Sequence, residues 1–348
     1  MLTHIDYEHF LEWVYTGNMI FARAVHTASI LADGKVVVAG GCCNGAENRA
    51  ELYDPSTGSW TTTGNLTHGR QLHTASILAN GKVLVVGGEG GEGVSSSAEL
   101  YDPSTGSWDT TGNTIYPRWM HQASVLTNGK VLVTGGVVDE GVFQKATELY
   151  DPSTGSWTHI GDLKYERNWL TASVLTNGKV LVTGGYNYQD GYVSVTELYD
   201  PLTDSWTTTG NLTNVRTYHT ACVFNDGKVL ITGGLNGDVG LLTSTELYDP
   251  STGSWTTTGN LNVPRMFSTA SLLTDGKILV IGGEVYESTT LNSAELYDPS
   301  TGSWTLIDSL NSARLFHTSS ILTNGKVLVT GGYNVYYQST AELYDPSM

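Results

Sequence analysis

Short apolar runs alternate with polar turns along the whole chain, and the same order of runs keeps returning. Residues 73–112 hold one full cycle: HTASIL, then KVLVVGG, then AELYD, then SWDTTG. Each run is short, rich in Val, Ile, Thr, Tyr and Trp, and free of a helical period, which predicts strands. The first two runs are joined by T-N-G-K or A-D-G-K, where Asn or Asp tolerates and Gly favours positive φ, the chemistry of a tight hairpin. The third and fourth are joined by D-P-S-T-G-S, with Pro presetting φ and Gly taking the left-handed position. One cycle therefore predicts a four-stranded antiparallel meander.

A Gly-Gly pair marks every cycle, at 40–41, 87–88, 135–136, 184–185, 233–234, 282–283 and 331–332, seven copies spaced 47 to 49 residues apart. From the Glu of each ELYD box to the second Gly of the next pair is 37 residues every time, so only the segment between Gly-Gly and Glu changes length. A meander of this size cannot bury both of its faces alone, whereas seven set radially bury one another around a central channel. The expected fold class is all-β: a seven-bladed β-propeller of four-stranded antiparallel blades, one domain over residues 1–348. Blades are expected at about 23–64, 70–112, 118–161, 167–210, 216–259, 265–308 and 314–348, with residues 1–10 as a tail. The last cycle stops at TAELYDPSM, after its third strand, while Trp13, Gly17, Arg23 and His26 keep the offsets of Trp60, Gly64, Arg70 and His73. Residues 11–19 are therefore expected to supply the outer strand of the last blade, closing the ring and removing an open sheet edge.

These residues resemble the kelch repeat. The Gly-Gly pair, the Tyr-Asp, the Trp seven residues after that Tyr (Tyr53 and Trp60, Tyr248 and Trp255) and an Arg ten residues later recur in phase over nearly the whole chain. The resemblance implies a propeller that binds proteins or other ligands on one face; a minority of such propellers are enzymes, including copper oxidases similar to galactose oxidase and sialic-acid mutarotases. Fold alone does not choose among these. The leading expectation is a non-enzymatic module that binds a protein segment or glycan. An enzyme at the channel mouth, galactose-oxidase-like or mutarotase-like, is the alternative, and a scaffold of near-identical repeats without differentiated function is a third.

Charge and composition narrow the partners. Thirty-four acids against seventeen bases give a net charge of −17, which repels polyanions, so neither a nucleic-acid nor a membrane partner is expected. The longest apolar runs fall far short of the roughly 20 residues that cross a bilayer. MLTHIDYEHF lacks a basic n-region and an apolar h-region, so no signal peptide is read and the compartment stays open. Three cysteines, with Cys42 and Cys43 adjacent, form no bridge framework, and free thiols are the simpler reading. A monomer without cofactor is expected. GEGGEG (88–93) fits G-x-G-x-x-G, but the strand-like VSSSAELY follows where a dinucleotide site needs a helix.

Compared with one another, the units barely vary in the TNGK and DPSTGS turns and differ widely in two places: after Gly-Gly, and in the two residues after the repeat Arg. Alternating strand direction puts both variable segments on one rim, the candidate binding face. Its loops carry Tyr186, Tyr188, Tyr192, Tyr286, Tyr333, Tyr336 and Tyr337, and beside the Arg positions stand Trp119, Trp169, Tyr218, Phe267 and Phe316. Rigid amphipathic rings suit recognition of peptide or sugar, and packing between blades is the other use of the rings near Arg.

Arg23, Arg70, Arg118, Arg167, Arg216, Arg265 and Arg314 are seven of the eight arginines. They are read either as a cationic ring anchoring an anion near the channel, or as partners of Glu51, Glu99, Glu148, Glu197, Glu246, Glu295 and Glu342, since a buried ion needs a partner. His26, His73, His121, His219 and His317 share one repeat position, which Leu170 and Ser268 fill in the other units. Four of them, His317, His26, His73 and His121, lie on consecutive blades and are the candidates for a metal. No carboxylate or cysteine joins them at a diagnostic spacing, and hydrogen bonding within the blade is the alternative.

Overall fold

The second run of each cycle forms a strand covered on both faces. Val36–Ala39, Val83–Val86, Val131–Thr134, Val180–Thr183, Val229–Thr232, Ile278–Ile281 and Val327–Thr330 each hold four buried residues in succession. Branched side chains suit this doubly covered pleated position. The computed structural model describes residues 13–43, 45–139, 141–286 and 289–348. In the second blade the covered strand lies between the inner strand Thr74–Ile77 and the third strand Ala98–Asp102, which pairs with Ser107–Thr110 at the perimeter, all antiparallel. Seven such four-stranded sheets are present, and no helix occurs among the described residues, so none is long and apolar enough to cross a membrane.

The core sits between blades. Val37 and Ala39 of the first blade pack against Val83, Val85 and Tyr101 of the second, and Leu84 and Val86 of the second against Val131, Val133 and Tyr150 of the third. Inner strands of neighbouring blades touch around the axis, and Thr27–Ile30 touches both Thr74–Ile77 and Thr318–Ile321, so the ring is closed.

The closure is the one expected from the sequence. Trp13–Tyr15 pairs with Ala341–Tyr344, in the register Trp13↔Tyr344 and Tyr15↔Glu342. The Trp13 and Tyr344 rings lie 5.0 Å apart, matching the 5.1 Å between Trp60 and Tyr53 within the first blade. Trp13 is buried, and its Nε1 donates to the Asp308 carbonyl at 2.9 Å. The expected tail at residues 1–10, with residues 11 and 12 of the closing segment, lies outside the described residues.

A second closure runs through the Gly-Gly pairs. The N–H of the second Gly donates to the carbonyl of the next blade's repeat Arg at all seven seams, from Gly41 to Arg70 (2.9 Å) round to Gly332 to Arg23 (2.8 Å). The first Gly has positive φ and no room for a side chain: a Cβ on Gly40 would stand 2.6 Å from the Arg70 carbonyl oxygen and 2.7 Å from His73 Cε1. The fourth blade departs from the others at its outer turn, where Asp204 (φ 50°) stands in place of Gly and accepts the Tyr199 hydroxyl at 2.7 Å.

Candidate functional site

Each repeat arginine enters its own blade. Arg70 Nη2 lies 2.7 Å from Glu99 Oε1, while Nη1 donates to the carbonyls of Gly87 (2.7 Å) and Ser97 (3.1 Å). Glu99 in turn accepts the N–H groups of Thr67 (2.7 Å) and His68 (3.1 Å), in the segment arriving from the blade before. The other six Arg–Glu pairs repeat this at 2.6 to 3.0 Å, with every side chain at most 1% exposed. Burial lowers the Arg70 pKa and the Glu99 carboxylate opposes it. Burial alone would raise the Glu99 carboxyl, but the Thr67 N–H, Arg70 and the His68 N–H outweigh it and hold the group below its ordinary value.

The geometry thus takes the pairing alternative for Arg23, Arg70, Arg118, Arg167, Arg216, Arg265 and Arg314. The reading of these residues as an anion-binding ring is corrected, because buried ions in low dielectric are held by their own carboxylates.

What the variable rim presents is aromatic. The residue two places after each Arg adopts left-handed backbone: Val25 (φ 52°), Leu72 (52°), Met120 (55°), Trp169 (49°), Tyr218 (57°), Phe267 (56°) and Phe316 (55°). Non-glycine residues avoid this region, β-branched Val25 most of all, so the surroundings must impose it. Part of the restraint is visible: the N–H groups of Val25, Leu72, Met120 and Phe267 donate to the carbonyls of Phe316, Val25, Leu72 and Tyr218 on the neighbouring blade. The preceding residue pairs outward, as in the bridges Trp119↔Val137 and Asn168↔Tyr186.

Four of these side chains meet over the axis. Ring centroids are 4.5 Å apart for Tyr218 and Phe267 and 4.4 Å for Phe267 and Phe316. Trp169 lies 5.1 Å from Tyr218 and 6.4 Å from Phe316, three blades away around the ring. They line a cavity of about 340 Å³ together with His26, His73, His219 and His317. Trp119, one place earlier in the repeat, is held by its bridge to Val137 and is not part of this group. Val25, Leu72 and Met120 complete the ring, and reading for aromatic residues missed them; the shared offset from Arg is the signal that finds them.

Further out, the loop tyrosines gather in clusters along the rim. Tyr186 packs on Tyr192 (5.2 Å) and Tyr188 (5.8 Å), and Phe143 of the neighbouring blade stands edge-on to Tyr188 at 5.0 Å. The Leu241 N–H donates to the Tyr286 hydroxyl at 2.7 Å, linking two further blades. Tyr333 and Tyr337 pair at 5.1 Å beside Tyr336.

The histidines are engaged with threonines. Nε2 of His73, His121 and His317 lies 3.0, 2.9 and 3.0 Å from the hydroxyls of Thr27, Thr74 and Thr269, each on the preceding blade, and His26 Nε2 lies 3.2 Å from Thr318 and Thr330. Burial holds His73, His219 and His317 at about 3 and pushes His26 and His121 well below their ordinary value, so all five are neutral. Their Nδ1 atoms are buried without a side-chain partner. Among the described residues no three His, Cys, Asp or Glu side chains come together to hold a metal, so His26, His73, His121 and His317 do not form the metal set considered from the sequence.

Comparison with known proteins agrees with this architecture. The model of the Attractin/LZTR1 beta-propeller family matches residues 90–339, and the Kelch motif matches residues 23–67. Among solved structures, the chain is similar to a fungal alcohol oxidase of the AA5 family in complex with copper, with a TM-score of 0.75 and 20% identity over 96% of this chain and 75% of that one. It is also similar to the protein YjhT, with a TM-score of 0.67 and 18% identity over 84% of this chain and 99% of that one. Likeness at these identities shows the fold alone. The sequence has no match among curated proteins. The histidines at the mouth are buried and threonine-paired, and among the described residues no third His, Cys, Asp or Glu joins them, a donor set that does not suit a copper ion. With seven latched kelch-type blades and a family match across most of its length, the chain belongs to the Attractin/LZTR1 beta-propeller family.

Proposed function

We propose that the chain is a non-enzymatic binding module that holds a protein segment or a glycan on its variable rim. One observation carries this reading: Tyr188, Tyr286 and Tyr336 are 69%, 58% and 78% exposed, on loops that differ between otherwise copied blades. Large rings left in water gain from being covered, and amphipathic rings dominate recognition surfaces. A frame latched at every seam presents those loops with little ordering left to do on binding. Kelch propellers generally bind protein partners.

The test is a displayed random peptide library and a glycan array, screened with the wild type, with Tyr188→Ala/Tyr336→Ala, and with Lys130→Ala/Asp151→Ala on the opposite rim. Ligands retained by the wild type are expected to be lost by the tyrosine variant and kept by the other. Ligands indifferent to the tyrosines, or dependent on Lys130 and Asp151, would overturn the reading.

A further inference from the structure

The charges on the variable rim are divided unequally, and this selects among possible partners. Of the seventeen bases in the chain, seven are the buried arginines and seven are the lysines of the hairpin turns on the opposite rim, from Lys35 to Lys326. Three remain, and each is engaged: Arg49 lies 5.6 Å over the Phe21 ring, Lys164 lies 5.4 Å over the Tyr165 ring, and Lys145 is 3.8 Å from Asp162. By sequence, the variable loops of the third to sixth blades carry six acids, Asp139, Glu140, Asp190, Asp238, Glu284 and Glu287, against Lys145 alone.

The acids are interleaved with the aromatic arc. Asp190 stands between Tyr188 and Tyr192 in one hairpin, and Asp238 is exposed in the next, where a Cβ on Gly237 would meet the Tyr192 ring. Exposed π-faces beside carboxylates attract cations twice over, through the ring quadrupole and through the charge, and the two ring-stacked bases show that this chain's aromatics already accept such contacts. An acidic partner meets neither attraction, and no arginine lies on these loops.

Resting on the binding reading above, we propose that the arc formed by Tyr186, Tyr188, Tyr192 and Tyr286, backed by the buried Phe143, with Asp190 and Asp238 is a docking surface for a basic polypeptide segment, whose lysine or arginine side chains stack on the tyrosines and face the two carboxylates. Neighbouring rings 5 to 6 Å apart offer one cation more than one face, so the surface takes an extended segment with several charges rather than a single amine.

The experiment uses three synthetic peptides of equal length on one glycine–serine backbone, bearing four arginines, four glutamates or four glutamines, titrated into the full chain at physiological salt. The arginine peptide is expected to bind at least about tenfold more tightly than the other two. Asp190→Asn/Asp238→Asn and, separately, Tyr186→Ala/Tyr188→Ala are each expected to weaken it about fivefold. Asp109→Asn/Asp226→Asn, which removes the same charge from an outer strand and from the opposite rim, is expected to change it less than twofold. Equal loss in both aspartate pairs would reduce the effect to mean charge and overturn the proposal. Rim-dependent ligands from the library that are neutral, acidic or glycan would also overturn it while leaving the binding reading standing; absence of any rim-dependent ligand would remove both.

Discussion

The two rims of this propeller are built from the same strands and have opposite characters. On one rim the connections are copies: Asp54, Asp102, Asp151, Asp249, Asp298 and Asp345 each accept a serine N–H two residues on, and lysines such as Lys82 and Lys130 lie 2.9 and 3.2 Å from Asp102 and Asp151. On the other, every loop differs in length or content and the large exposed tyrosines collect there. Between them run the buried Arg–Glu pairs and the Gly-to-Arg carbonyl bonds, which tie each blade to the next directly below the variable loops. The loops are free to vary because the frame beneath them does not depend on them. Repetition secures the fold, and departure from repetition marks the face that distinguishes ligands.

If the frame carries stability and the variable rim carries recognition, changes to the two should separate cleanly. Removing residues 1–19 takes away the outer strand of the last blade and the Trp13 ring, and is expected to lower the melting temperature by more than about 10 °C, since loss of a buried Trp alone costs about 3–5 kcal/mol. An unchanged melting curve would mean the ring is not held by that strand. Glu148→Ala leaves the Arg118 guanidinium buried without its partner and is expected to cost about 3–5 kcal/mol, read from the denaturant midpoint.

Next in size is a pH effect at the boundary of the two regions. His73 is held at about 3 in the fold against an ordinary value of 6.5, so the unfolded chain takes up the proton first as pH falls. Its contribution is complete above pH 6.5 and drains away between 6.5 and 3, by about 2 kcal/mol at pH 5. His73→Leu is expected to remove its share of that slope and leave the shares of His26, His121, His219 and His317, and Leu170, buried at the same repeat position, shows that the site accepts hydrocarbon. The smallest expected changes lie at the rims themselves. Lys130→Ala, at a partly exposed pair, is expected to alter stability by less than about 1 kcal/mol, and Tyr188→Ala/Tyr336→Ala by less than about 0.5 kcal/mol while weakening rim-dependent binding by about fivefold or more.

Much of this frame was legible in the sequence because it is local and repeated. Asn-Gly turns, the Gly-Gly pair and the Tyr–Trp spacing define a blade within about fifty residues, and the missing fourth strand at one end with a spare one at the other implied the clasp. The Arg–Glu pairing was readable as one of two alternatives from equal numbers, but not as the answer, because deciding it needs the burial of the guanidinium. The meeting of Trp169 with Phe316 was not readable at all: nearly 150 residues separate them, and only ring closure brings the two blades face to face across the axis. The left-handed backbone at Val25 was hidden for a related reason, since it runs against the local preference of valine and one of its restraints, the hydrogen bond to the Phe316 carbonyl, comes from the last blade.

The most direct test of the division between the rims is a hydrogen-exchange footprint of a peptide selected from the library, bound to the intact chain. Slowed exchange is expected in the loops around 186–193 and 235–242 and no change in the Asn-Gly and Asp-Pro turns of the opposite rim. Protection centred on those turns, with the tyrosine loops unaffected, would contradict the account.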